Sequence, residues 1–164
     1  MALCYDGTNV LLHEYIDSDF EGGVDSRRST TGYVFTLGSG AVRWVSRPQK
    51  IVALSMTETE YVTMTEACKK FIWLKDFMKE RGQEQVTPTL HSDSQSAIGL
   101  VNNPAYHDRI KRIYVWYPFI HIFLNDSVLS LLKIHMNQNI ADMLIKVVTT
   151  EKLNTCSASV SLLW

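Results

Sequence analysis

Four acidic residues set inside or at the end of apolar segments constrain this chain more than any other feature. Asp17 ends the run Leu11-Leu12-His13-Glu14-Tyr15-Ile16, and Asp93 follows Thr89-Leu90-His91-Ser92. Asp142 stands within Ile140-Ala141-Asp142-Met143-Leu144, and Glu60 falls in a long helical pattern. A carboxylate taken out of water needs a partner, a proton or a metal ion. Few basic residues stand close enough in sequence to pair with these acids locally. A fold that buries them is therefore expected to gather them around hard divalent cations, which prefer oxygen ligands.

The chain reads most simply as one domain of 164 residues, 46% of them apolar. That length supports a proper core, and that composition argues against disorder. No apolar run approaches the ~20 residues of a membrane span. The start, Met1-Ala2-Leu3-Cys4-Tyr5-Asp6-Gly7, lacks the basic-then-apolar pattern of a secretory signal, so an intracellular location, cytoplasmic or nuclear, is expected. Cys4, Cys68 and Cys156 are too few and too far apart for a zinc site or a disulfide framework, which fits a reducing compartment. The net charge of −1 gives no general attraction to nucleic acid. Arg27-Arg28, Arg43 with Arg47 and Lys50, Lys69-Lys70, and Arg109 with Lys111 and Arg112 read first as solvated faces. A metal-dependent nuclease would need no strongly basic surface, because its cations also offset phosphate charge.

Residues 11–19 alternate loosely as a strand before the turn Glu21-Gly22-Gly23. Residues 31–37 and 41–46 form a hairpin around Gly38-Ser39-Gly40, so an antiparallel meander opens the domain. A helix is expected from Ser55 to Arg81, started by a Ser55/Glu58 capping box and closed by Gly82. Its apolar stripe holds Met56, Met64, Ala67, Phe71 and Leu74 at steps of three and four, and Glu60 shares that stripe. Glu58 and Glu66 fall largely outside it. After Pro88 comes a short strand to Ser92, and then Asp93 and a helix over residues 94–101. Residues 110–124 are helical or mixed around Pro118, 127–135 a fifth strand and 138–147 a closing helix. Signals are weak from Thr149 onward. Strands followed by alternating helix and strand indicate an α/β class with a mixed sheet flanked by helices.

With these motifs in order, the chain resembles the ribonuclease H domain of copia-type LTR retrotransposon (retrovirus-related) Pol polyproteins. The matching segments are Tyr15-Ile16-Asp17-Ser18-Asp19-Phe20-Glu21-Gly22, residues 25–35, Gly40-Ala41-Val42-Arg43-Trp44 and Ala53-Leu54-Ser55-Met56-Thr57-Glu58-Thr59-Glu60-Tyr61. Ser92-Asp93-Ser94-Gln95-Ser96-Ala97-Ile98 and Ala141-Asp142-Met143-Leu144 complete the series. The resemblance implies a ribonuclease H-like fold over residues 10–147, with 148–164 as a weakly structured tail. Its sheet would have five mixed strands, an antiparallel meander and then parallel strands, with the acids at one end. It also implies that Asp17, Glu60, Asp93 and Asp142 are catalytic and hold two Mg2+ ions, for which Mn2+ can substitute. Asp19 is the rival to Asp17, because residues two apart on a strand share a face.

The implied chemistry is in-line hydrolysis of the RNA strand of an RNA–DNA hybrid across two ions about 3.5–4 Å apart. RNA would be told from DNA by its 2′-hydroxyl. Ser94 reads mainly as a helix cap; Ser94 and Gln95, together with Arg28, are the nucleic-acid-binding candidates. His91 and His107 are weaker candidates for catalysis, and Trp44, Trp73 and Trp116 read as packing rather than base-stacking residues. A monomer is expected, with a reverse transcriptase domain outside this chain as a partner.

Departures from the family pattern stand beside the matches. The usual Lys-His-Ile-Asp-hydrophobic-Arg-Tyr-His segment reads Lys111-Arg112-Ile113-Tyr114-Val115-Trp116-Tyr117-Pro118, placing a proline where a helix interior would pay about 3 kcal/mol. Leu-Thr-Lys-Pro after the last aspartate reads Leu144-Ile145-Lys146-Val147, and Glu14 replaces a common glycine. The alternative to an active nuclease is therefore a degenerate, non-catalytic module that binds nucleic acid or a protein.

Overall fold

The computed structural model describes residues 11–20, 28–38, 40–83, 87–102, 120, 122–124, 126 and 128–161. The altered segment 111–118, His107, Trp116, Cys4 and the turn at 21–23 lie outside them. Five strands form one sheet in the order β3-β2-β1-β4-β5, the mixed sheet expected from the sequence. They are β1 (Leu12–Asp19), β2 (Thr30–Leu37), β3 (Gly40–Pro48), β4 (Thr89–Ser92) and β5 (Ser130–Lys133). The first three make the antiparallel meander, while β4 and β5 run parallel to β1. β5 is shorter than the 127–135 read from the sequence, because its parallel partner β4 offers four residues and the pairs from Thr89↔Ser130 to Ser92↔Lys133 use them up.

Helix α1 (Met56–Glu80) covers one face of the sheet. Ser55 Oγ accepts from Glu58 N–H at 3.2 Å. The far end closes as a Schellman turn, in which Gly82 N–H donates to Lys79 O and Gln83 N–H to Met78 O, both at 3.0 Å. Gly82 is in the left-handed region at φ 74°, where a Cβ would be strained. Met64, Ala67, Cys68 and Phe71 pack against Leu12, Ile16, Phe35 and Leu90, joined by Ala97, Leu100 and Val101 of α2 (Gln95–Asn102). Each large side chain buried there contributes about 1.5–3 kcal/mol. Two details of the expected stripe are corrected. Met56, the first residue of the helix, is 49% exposed. Glu58 is buried, because its carboxylate accepts from Leu54 N–H at 2.7 Å.

The opposite face carries Val34 and Ala41, packed with Ile140, Cys156 and Val160. The expected closing helix at 138–147 is shortened to α3 (Asp142–Ile145), with a 3-10 turn at Met136–Gln138 ahead of it. Asn139, fully buried between them, donates its amide to Ile16 O at 2.8 Å and accepts from Ala141 N–H at 3.2 Å. A side chain that bonds nearby backbone in this way competes with a continuous helix. Beyond it, where the sequence carried weak signals, α4 (Thr150–Ser159) is capped by Thr149 and tied to β3 by Ala41 N–H donating to Val160 O at 3.2 Å. None of the helices among the described residues is long and apolar enough to cross a membrane.

Candidate metal centre

Parallel pairing places the carboxyl ends of β1 and β4 side by side, with Ile16 opposite Ser92. Asp17 and Asp93 are the residues that follow this pair. Glu60 reaches the same place from the second turn of α1, whose position is fixed by a buried polar set. Gln49 donates its amide to Thr59 O and to the hydroxyls of Thr31 and Thr63, and Ser29 and Thr59 share a hydrogen bond at 3.0 Å. Among the described residues, Asp17, Glu60 and Asp93 form a group whose carboxylate oxygens lie within 4.8 Å of one another. Asp17, and not Asp19, is the β1 acid in that group.

The electrostatics are those of a cluster short of positive charge. Asp17 is 1% exposed, and desolvation first, then contact with the Asp142 carboxyl, pushes it up to about 8 in spite of Lys146. Ser18 N–H donates to Asp17 Oδ1 at 2.8 Å. Glu60, 4% exposed, is pushed up to about 7 by burial and by the neighbouring Asp93 charge. Ser18 lies close enough to favour the Glu60 charge, yet Glu60 Oε2 and Ser18 Oγ make no hydrogen bond of proper geometry. A buried carboxylate with an orphaned oxygen, standing in a set of three carboxylates, is what a bound hard cation satisfies.

Asp142 is not one of the trio, although its carboxyl meets that of Asp17. Both of its oxygens are taken by ammonium groups. Lys146, one turn along, lies 3.2 Å from Oδ1 and reaches Asp17 Oδ2 at 2.7 Å, while Lys152 of α4 pairs with Oδ2 and donates to Met136 O at 3.1 Å. Burial opposes the Asp142 charge, but the contact with the Asp17 carboxyl, then those with Lys152 and Lys146, outweigh it and hold the carboxyl below its usual range. Burial likewise opposes the Lys146 charge, and Asp17 and Asp142 outweigh it to hold the ammonium well above its usual range. The expectation that these acids lack local basic partners is therefore overturned at Asp142. The Asp142–Lys146 spacing of four on a helix was the available signal, whereas Lys152 gave none.

Gly32, paired with Asp17 across the β1–β2 ladder, lies against α3. A Cβ there would meet Ile145 Cγ2 at 2.5 Å and Ala141 O at 3.5 Å. Gly32→Ala is expected to push α3 outward and cost about 1–3 kcal/mol, read as a lower urea midpoint with unchanged slope. The other candidates are placed as follows. Ser94 Oγ accepts from Ala97 N–H at 3.3 Å as a cap of α2, while Gln95 and Arg28 are exposed. His91 stacks on Tyr15 at 4.7 Å and shares a hydrogen bond with His13 at 3.2 Å, and burial lowers it to about 4. Trp44 and Trp73 are exposed, Trp73 stacking on Phe77.

No family model matches the chain. The retrovirus-related Pol polyprotein from transposon TNT 1-94 of Nicotiana tabacum is 46% identical over 161 residues, 98% of this chain and 12% of that protein. The chain is a relative of one segment of retrovirus-related Pol polyproteins. It spans about an eighth of that relative's length. LC11-RNase H1, solved in complex with an RNA/DNA hybrid, aligns with a TM-score of 0.55 at 18% identity, over 82% of this chain and 93% of that one. The N-terminal RNase H domain of a Mycobacterium tuberculosis protein, solved fused to maltose-binding protein, aligns with a TM-score of 0.57 at 14% identity, over 92% and 98%. At these identities the likeness is one of fold, and the fold of this Pol relative is that of ribonuclease H.

Proposed function

We propose that this Pol-derived module hydrolyses the RNA strand of RNA–DNA hybrids, with divalent cations held first by Asp17, Glu60 and Asp93. The observation that carries the reading is the three-carboxylate group with its orphaned Glu60 oxygen, at the strand ends of a ribonuclease H fold. Magnesium bound there, or manganese in its place, would polarise the phosphoryl oxygen and make water nucleophilic. Asp17 and Asp93 supply oxygens from adjacent strand ends, Glu60 supplies them from α1, and Asp142 orients a water or completes a second position. Ser94, Gln95 and Arg28 meet the backbone of the hybrid, and a 2′-hydroxyl contact selects its RNA strand. The hybrid in the LC11-RNase H1 structure supports this choice of substrate. The domain is taken as 10–147 with α4 docked on it, monomeric, working beside a reverse transcriptase domain elsewhere in the polyprotein.

One observation favours a folded module that does not cleave: both oxygens of Asp142 are engaged by lysines. Cleavage of a labelled RNA–DNA hybrid in Mg2+ separates the two. The wild type is expected to cut the RNA strand, and Asp93→Asn to lose about a thousandfold, the several kcal/mol a metal contact supplies. A wild-type chain that melts cooperatively and leaves the hybrid intact makes it the non-cleaving module.

A further inference from the structure

A second cation would be held by Asp17 and Asp142, whose carboxyls are in contact. In this chain that position is already served by positive charge. Lys146 Nζ lies between Asp17 Oδ2 and Asp142 Oδ1, at 2.7 and 3.2 Å. Lys152 Nζ closes on the other Asp142 oxygen. Asp142 is 3% exposed, so each of its oxygens has little room for a further partner while the lysines stay. The two ammoniums arrive from different elements, α3 and α4. Lys152 is held from behind by Met136 O, and α4 is anchored by Cys156 and Val160 in the second core.

We propose that Lys146 and Lys152 form a clamp that serves as the built-in counter-cation of the second metal position. It rests on the metal-site reading above. The chain alone then takes up one divalent ion, at Asp17, Glu60 and Asp93, and a second enters only when the lysines leave. The group able to draw them away is an incoming phosphodiester, which is itself anionic and offers the ammoniums a new partner. Lys152, and through it the C-terminal helix, is thus a positioning residue: in the free chain it acts on Asp142.

The number of bound Mn2+ ions, counted by electron paramagnetic resonance on the whole chain without nucleic acid, tests the clamp. Wild type is expected to bind one ion. The double variant Lys146→Met/Lys152→Met is expected to bind two, and Lys152→Met alone to tighten the second at least tenfold, with Lys152→Arg restoring the wild-type count. Melting in excess Mn2+ gives an independent readout, since two sites stabilise more than one, so the rise should be larger in the double variant. Lys152→Gln replaces Lys152→Met, in the single and the double variant, if methionine prevents a cooperative melt. Two ions on the wild type, or one ion on the double variant, overturns the clamp and leaves the metal site standing. A folded wild type that binds none, with Asp93→Asn indistinguishable from it, overturns the metal site and the clamp together.

Discussion

Glu60→Gln is expected to lower hybrid cleavage roughly a thousandfold, about 4 kcal/mol of transition-state stabilisation, while raising the melting temperature of the metal-free protein above pH 7. Both effects come from the same atoms. Glu60 is nearly fully buried, its Oε2 lacks a hydrogen bond, and burial together with the Asp93 charge pushes its carboxyl from 4.5 to about 7. A carboxyl raised in the folded state binds its proton more tightly there than in the unfolded chain. Its contribution to stability is therefore present in full below its ordinary value and is lost as pH climbs through about 7. Glutamine keeps the shape, has no charge to bury and cannot give a hard cation an anionic ligand. Asp17, pushed up to about 8, adds a loss of its own in the same window, so some pH slope remains in the variant. Melts at pH 5 and pH 8, each with and without excess Mg2+, check this. The wild type should fall in stability from pH 5 to pH 8 without metal and recover with it, and the variant should do less of both. Wild-type cleavage by Glu60→Gln, or a variant less stable than wild type at pH 8 without metal, would sink the assignment of Glu60 as a ligand. The exchange of stability for a ligand is the usual pattern at sites built for function.

Whatever repeats with a period, or sits at a fixed offset from a cap, could be read from this sequence. The meander was legible because alternation and the Gly38-to-Gly40 turn coincide, and α1 because Ser55, Glu58 and Gly82 mark its ends. Glu60 was separable from Glu66 by helical phase alone. Phase failed for Glu58, because a capping carboxylate is buried by its bond to Leu54 N–H and not by an apolar stripe. It failed again at 138–147, where Asn139 spends its side chain on Ile16 O and on Ala141 N–H and so shortens the helix. Lys152 was out of reach for a different reason. Its partner Asp142 is ten residues away and on another helix, so the pairing exists only once α4 has docked through Cys156 and Val160. The cluster of Asp17, Glu60 and Asp93 needs the β1–β4 register, which sequence implied only through family resemblance.

Glu14→Leu is expected to stabilise the protein by about 2 kcal/mol, a rise of roughly 4–8 °C for a domain of this size, with hybrid cleavage unchanged. Glu14 points to the α1 face of the sheet, between Phe35 of β2 and Leu90 of β4, and is 0% exposed with neither carboxyl oxygen hydrogen-bonded. Desolvation pushes its pKa well above the ordinary 4.5, so the fold carries a neutral acid with unmet donors and acceptors. Leaving such a group unpaired costs about 1–3 kcal/mol, and an apolar residue of similar volume removes that cost. The sign of the pH dependence follows from the raised pKa. Wild-type stability attributable to Glu14 is intact below pH 4.5 and drains away as pH rises toward its folded-state value, whereas leucine does not titrate. The gap between variant and wild type should thus widen from pH 5 to pH 8. Glu14→Gln is the control, since its amide needs the same absent partners and should give little gain. A leucine variant that melts lower than wild type at both pH values would mean that overpacking against Cys68 and Tyr33, the groups that sense the Glu14 charge, exceeds the cost of the buried acid.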